Sequence, residues 1–136
     1  MKIQLEIKQY DPYIASYLMP GIYKAGLYSS TGKTYLANAL KKYYSYGYNV
    51  YSVTYNDILI ANREGRKIEL PKLQPNALVI IDRYDMYRGQ LVEDIEKLSY
   101  DSAVIIDTKL GYKISKSSKE CDIEIPKSRW IVIEEV

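Results

Sequence analysis

Histidine is absent from the 136 residues, so imidazole general-base catalysis, Ser–His triads and histidine metal sites are all excluded. The single cysteine, Cys121, rules out an internal disulfide and any multi-cysteine zinc site, and it fits a reducing compartment. Phenylalanine is missing too, against sixteen tyrosines, so Tyr is expected in the core and half-buried places that Phe would fill. No apolar run approaches the ~20 residues that span a bilayer. The segment Met1 to Lys8 lacks the apolar stretch of a signal peptide. A cytoplasmic location with no membrane partner is therefore expected. Charge of one sign is also lacking: nineteen basic against seventeen acidic residues leave +2, too near neutral for charge alone to predict a nucleic-acid partner.

What is present is an ordinary globular balance, 47% hydrophobic and 26% charged, which excludes a disordered or fibrous chain. With no repeat, low-complexity tract or linker, residues 1–136 read as one domain. Ile3, Leu5 and Ile7 alternate with polar residues as in a half-exposed strand. Asp11-Pro12 and Met19-Pro20-Gly21 bracket a stretch expected to form a helical turn. Ile22 to Tyr28 reads as a strand, and Tyr35 to Tyr44 as a helix whose apolar face is Leu36, Ala39, Leu40 and Tyr43, stopped at Gly47.

Strand and helix then alternate. Asn49 to Thr54 reads as a strand, and Asn56 or Asp57 as the cap of a helix through Ile58 to Ala61. Ala77 to Ile81 is a continuous apolar run of the type found in central parallel strands. Gln90 to Leu98 reads as an amphipathic helix, and Ala103 to Ile106 and Trp130 to Ile133 as further buried strands. This order predicts an α/β fold with a parallel sheet and helices on both faces.

The segment suited to chemistry is Ser29-Ser30-Thr31-Gly32-Lys33-Thr34, between a predicted strand and a predicted helix. A phosphate-binding loop needs inward backbone N–H groups, a Gly for the turn and a helix N-terminus that favours anions. Lys then reaches the terminal phosphates and the Thr hydroxyl ligates Mg²⁺. Gly32, Lys33 and Thr34 stand in that order, although the first glycine of the full pattern would fall on Leu27, one step after Gly26. The apolar run Ala77 to Ile81 ends in Asp82, the place from which a strand-end carboxylate orders Mg²⁺.

In GLYSSTGKTYLANALKKY, ALVIIDRYD and SAVIIDTK the chain resembles P-loop NTPases of the AAA type, particularly the ATPase cores of bacterial helicase loaders and transposon helper proteins. The resemblance runs from Gly21 to Val136. It implies a P-loop three-layer sandwich with a mostly parallel sheet of about five strands, ordered 5-1-4-3-2, without a helical lid. It also implies that Ser30, Thr31, Gly32 and Lys33 cradle the phosphates of ATP, with Thr34 and Asp82 holding Mg²⁺. Arg83 stands where the family has the glutamate that activates water, and Asp85 is the carboxylate that could replace it. At the sensor position Thr108 suits the role better than Asp107, and Arg129, before the final strand, matches the place of an arginine that completes a neighbour's site.

Two functions follow from these residues. One is an ATP-binding protein with weak or partner-dependent hydrolysis, a switch or helper for a protein partner or for further copies of itself. ATP is preferred because no Asn-Lys-x-Asp guanine-reading motif is present. The other is a degenerate, non-hydrolysing module for protein or nucleic-acid binding, favoured by Leu27, Arg83 and the missing lid. Lys109, Lys113, Lys116 and Lys119, interspersed with serines and Tyr112, are the residues a nucleic acid would use.

Overall fold

A computed structural model describes residues 3–25, 30–87, 92–107, 118–126 and 129–136. Along the chain the elements are β1 (Leu5–Ile7), β2 (Tyr13–Ser16), β3 (Gly21–Ala25), α1 (Ser30–Ser45), β4 (Val50–Val53), α2 (Tyr55–Glu64), β5 (Leu78–Ile81), a 3-10 helix (Tyr84–Tyr87), α3 (Val92–Ser99), β6 (Ala103–Ile106), β7 (Lys119–Glu124) and β8 (Trp130–Glu135). β5 and β6 are buried at every position, as strands covered on both faces must be. Alternate residues serve two cores. Leu78, Ile80, Ala103 and Ile105 pack with α1 through Leu36, Leu40 and Tyr43. Val79, Ile81, Val104 and Ile106 pack with Ile58 of α2 and Ile95 of α3. Each fully buried Leu or Ile contributes roughly 2 kcal/mol of transfer free energy.

The helix ends follow local chemistry. α1 stops before Gly47, whose φ of 93° suits a residue without Cβ. α2 is capped by Thr54 rather than by Asn56 or Asp57. The Thr54 hydroxyl accepts from the Asp57 backbone N–H while the Asp57 carboxylate accepts from the Thr54 N–H, a reciprocal capping box.

The eight strands form one sheet in the order β1-β2-β8-β7-β3-β6-β5-β4. β1 runs antiparallel to β2 and β7 antiparallel to β8, whereas β2 is parallel to β8. The stretch β7-β3-β6-β5-β4 is parallel, with β3, the strand before the Gly-Lys-Thr loop, lying between β7 and β6.

The expected fold class is therefore corrected. The sheet is mixed and eight-stranded, with antiparallel pairs β1–β2 and β7–β8, not the sheet of about five strands expected in a three-layer sandwich. The stretch expected to be a helical turn is β2, whose Ile14 sits in the same core as Ile131 and Ile133 of β8. The sheet also curls. The Asn76 side-chain amide, just before β5, donates to the carbonyl of Gln4, just before β1, although these strands lie far apart in the strand order. The turn between β1 and β2 meets the C-terminal end of α1, where the Tyr43 hydroxyl donates to the Pro12 carbonyl at 2.6 Å and Tyr48 donates to Gln9 Oε1 at 2.8 Å. The curled sheet thus wraps α1, and Leu36, Leu40 and Tyr43 are all 0% exposed.

Tyrosine hydroxyls explain part of the missing phenylalanine. Tyr23, fully buried, donates to the Met19 carbonyl at 2.7 Å, as Tyr43 does to Pro12, so these rings fill core space and also satisfy backbone acceptors.

Candidate functional site

β5 and β6, each with the residue that follows it, share the same four-residue sequence, Val79-Ile80-Ile81-Asp82 and Val104-Ile105-Ile106-Asp107, and they pair in parallel with Ile81 opposite Ile106. Identical sequence in matched register sets Asp82 and Asp107 side by side at the C-terminal edge of the sheet. Backbone hydrogen bonds fix both. The Asp82 N–H donates to the Val53 carbonyl at 2.8 Å, the Asp107 N–H to Ile81 at 2.9 Å, and the Tyr84 N–H to the Asp107 carbonyl at 2.7 Å.

Lys33, in the first turn of α1, completes the cluster. Its Nζ lies 2.8 Å from Asp107 Oδ1, and each side chain is only 14% exposed. A pair so far from water is stabilising only while both partners stay, because losing one leaves an uncompensated charge. The Asp82 carboxyl is pushed above the usual carboxylate range. Burial contributes most, then the hydrogen bond and the charge of Asp107; the Tyr55 backbone N–H and Arg83 oppose the shift. Two carboxylates in such proximity favour a bound proton or a cation.

Gly32 lets this end of α1 sit on β7. A Cβ there would stand 3.3 Å from Ile123 Cγ2 and 3.4 Å from the Ile123 carbonyl oxygen, tighter than ordinary contact. No acidic residue occupies the first turn of α1, whose N–H groups have no intrahelical acceptors.

Arg83 adopts φ 50°, in the left-handed region that a non-glycine residue seldom enters. Its Nε and Nη2 donate to the two carboxylate oxygens of Asp85 at 3.3 and 3.2 Å, and its guanidinium carbon lies 5.3 Å from the centroid of the Tyr55 ring. Asp85 is thus ion-paired and 8% exposed, an environment that opposes a general-base role.

Of the sequence-predicted residues, the structure joins Lys33 to Asp107, which in turn neighbours Asp82, and sets Gly32 against β7. Thr34 is exposed on α1. Arg129 is not brought to this cluster. It lies 3.9 Å from Asp11, whose carbonyl accepts from Lys42 Nζ, a residue about 14 Å further along α1 than Lys33 at roughly 1.5 Å rise per residue. Ser29, Thr108 and the basic residues Lys109, Lys113 and Lys116 lie outside the described residues, as do the side chains of Ser30 and Thr31. Lys119, at the start of β7, is exposed, 4.0 Å from Glu135 and above the Tyr23 ring. Sequence reasoning preferred Thr108 to Asp107; the repeated Val-Ile-Ile-Asp was the signal for Asp107.

Among the described residues no group of three or more His, Cys, Asp or Glu side chains could hold a metal ion by itself. Cys121 is fully buried, and burial pushes its thiol up to about 12, which removes it as a nucleophile. No helix among the described residues is long and apolar enough to cross a membrane. No family model, no curated protein and no solved structure matches this chain.

Proposed function

We propose that the protein binds ATP with Mg²⁺ at the N-terminal end of α1 and acts as a slowly hydrolysing switch for a partner. The observation that carries this reading is the half-enclosed Lys33–Asp107–Asp82 cluster beside the first turn of α1. Ligands of parallel sheets lie at the C-terminal strand edge, and a phosphate at a helix N-terminus meets both N–H donors and the helix dipole. Lys33 neutralises Asp107. An arriving phosphate offers the ammonium a second anion, and Mg²⁺ offers the crowded carboxylates a cation, so every charge in the cluster keeps a partner.

The residues fit this ion in the way Mg²⁺ is usually held, by one or two carboxylates with substrate phosphates and water rather than by an all-protein cage. Asp82 and the Thr34 hydroxyl are the side chains proposed for it. The Arg83–Asp85 ion pair supports slow turnover, because Asp85 is engaged with a guanidinium. It equally favours the second reading, a module that binds nucleotide without turnover.

Calorimetric titration of the full chain with ATP and Mg²⁺, beside Lys33→Ala, tests the proposal. Micromolar binding that is lost in Lys33→Ala is the expected result. No binding by the native chain at millimolar ATP overturns it. Mg-dependent phosphate release separates the switch from the non-hydrolysing module.

A further inference from the structure

The guanidinium of Arg83 is held along one edge and across one face. Nε and Nη2 engage Asp85, and the ring of Tyr55 lies below the plane at 5.3 Å. Among the described residues Nη1 has no hydrogen-bond partner, and the side chain is 32% exposed. The position is also strained, since φ 50° lies in the left-handed region that a side chain with a Cβ seldom enters. Arg83 directly follows Asp82, and the Tyr55 that supports its face also donates its backbone N–H to the Asp82 carboxylate. An oriented guanidinium with an open edge, one residue from a strand-end carboxylate, is built to meet an anion in two-pronged fashion.

We infer that Arg83 reads the terminal phosphate of the bound nucleotide through its Nη1/Nη2 edge, with Asp85 and Tyr55 as positioning residues that hold it ready. The inference rests on nucleotide binding at Lys33. A phosphate chain anchored at the first turn of α1 and lying along the C-terminal edge of β6 and β5 ends beside Asp82 and Arg83. The protein would therefore distinguish a triphosphate from a diphosphate by a residue set apart from the Lys33 anchor.

The test measures ATP and ADP affinities, each with Mg²⁺, for the native chain, Lys33→Ala, Arg83→Lys and the double variant Arg83→Gln/Asp85→Asn. The double variant removes both charges, so no buried carboxylate is left without a cation. Melting temperatures of all four are recorded. The expected result is a loss of about tenfold to a hundredfold in ATP affinity for the double variant, the range given by charged hydrogen bonds. ADP affinity should stay within about threefold in the same chain, because the group it lacks is the one Arg83 meets. Arg83→Lys should recover little of the ATP affinity, because an ammonium cannot reproduce the fork.

Equal weakening of ATP and ADP, or full retention of both while Lys33→Ala abolishes binding, overturns the role of Arg83 and leaves the nucleotide site standing. No nucleotide binding by the native chain overturns both.

Discussion

The two ends of α1 solve opposite problems. At the N-terminal end, Lys33, Asp107, Asp82, Arg83 and Asp85 hold charge at the sheet edge, with a raised carboxyl and a left-handed arginine. At the C-terminal end, Tyr10, Tyr43, Tyr46 and Tyr48 pack ring on ring, with centroids 5.0 to 6.3 Å apart, and two of their hydroxyls close neutral hydrogen bonds. One end tolerates crowded like charges and strain, as proposed for a nucleotide site; the other packs rings and closes neutral hydrogen bonds, and serves stability. Activity and stability should therefore separate along a single helix.

The comparison is broken most severely from the middle. Leu40→Ala, at a fully buried position, should cost about 3 kcal/mol and lower Tm more than any change at either end. Denaturant unfolding measures it. Next comes Tyr43→Phe, which strands the Pro12 carbonyl in a buried setting. A loss of about 1–2 kcal/mol is expected, with nucleotide affinity unchanged.

Asp82→Asn should act in the opposite direction. The folded carboxyl is raised above its ordinary value of 3.8, so ionising it disfavours the native state. Below about pH 3.8 both states are protonated and the variant gains nothing. As pH rises from there through the raised folded value, native stability falls, and above that value the variant's advantage stands at its full size. Melting curves at acid and neutral pH should show a gain at neutral pH only, alongside weaker Mg²⁺-dependent binding. The smallest effect is Tyr48→Phe, whose exposed bond to Gln9 is worth under about 0.5 kcal/mol, so Tm should barely move.

Legibility in the sequence followed burial. β5 and β6 are unbroken apolar runs and were readable at once, as were the apolar face of α1 and its stop near Gly47. β2 was hidden because prolines on both sides signal turns, and its apolar residues become a strand only by pairing with β8. β7 was missed because Cys121 and Ile123 alternate with charged residues in an already polar stretch, and only its placement between β3 and β8 makes it an interior strand. These two strands, with β1, turn the expected five-stranded sheet into a curled one of eight. At the site, Gly32, Lys33 and Asp82 stood out by spacing. The ion pair from Lys33 to Asp107 spans the sheet from α1 to β6, and local pattern cannot carry such a distance. The Arg83–Asp85 contact depends on a positive φ that no residue type announces.

The curl sets an order of assembly. Among the described residues β2 pairs with β1 and β8, so the hairpin formed by residues 5–16 joins the rest of the sheet only through residues 130–133. On a chain made from its N-terminus, that hairpin is complete long before the strand that joins it to the sheet, while β3 to β6 can already pair around α1. Ile131 and Ile133 then close the sheet over the helix, linking the earliest strands to the latest in a contact of the longest sequence range.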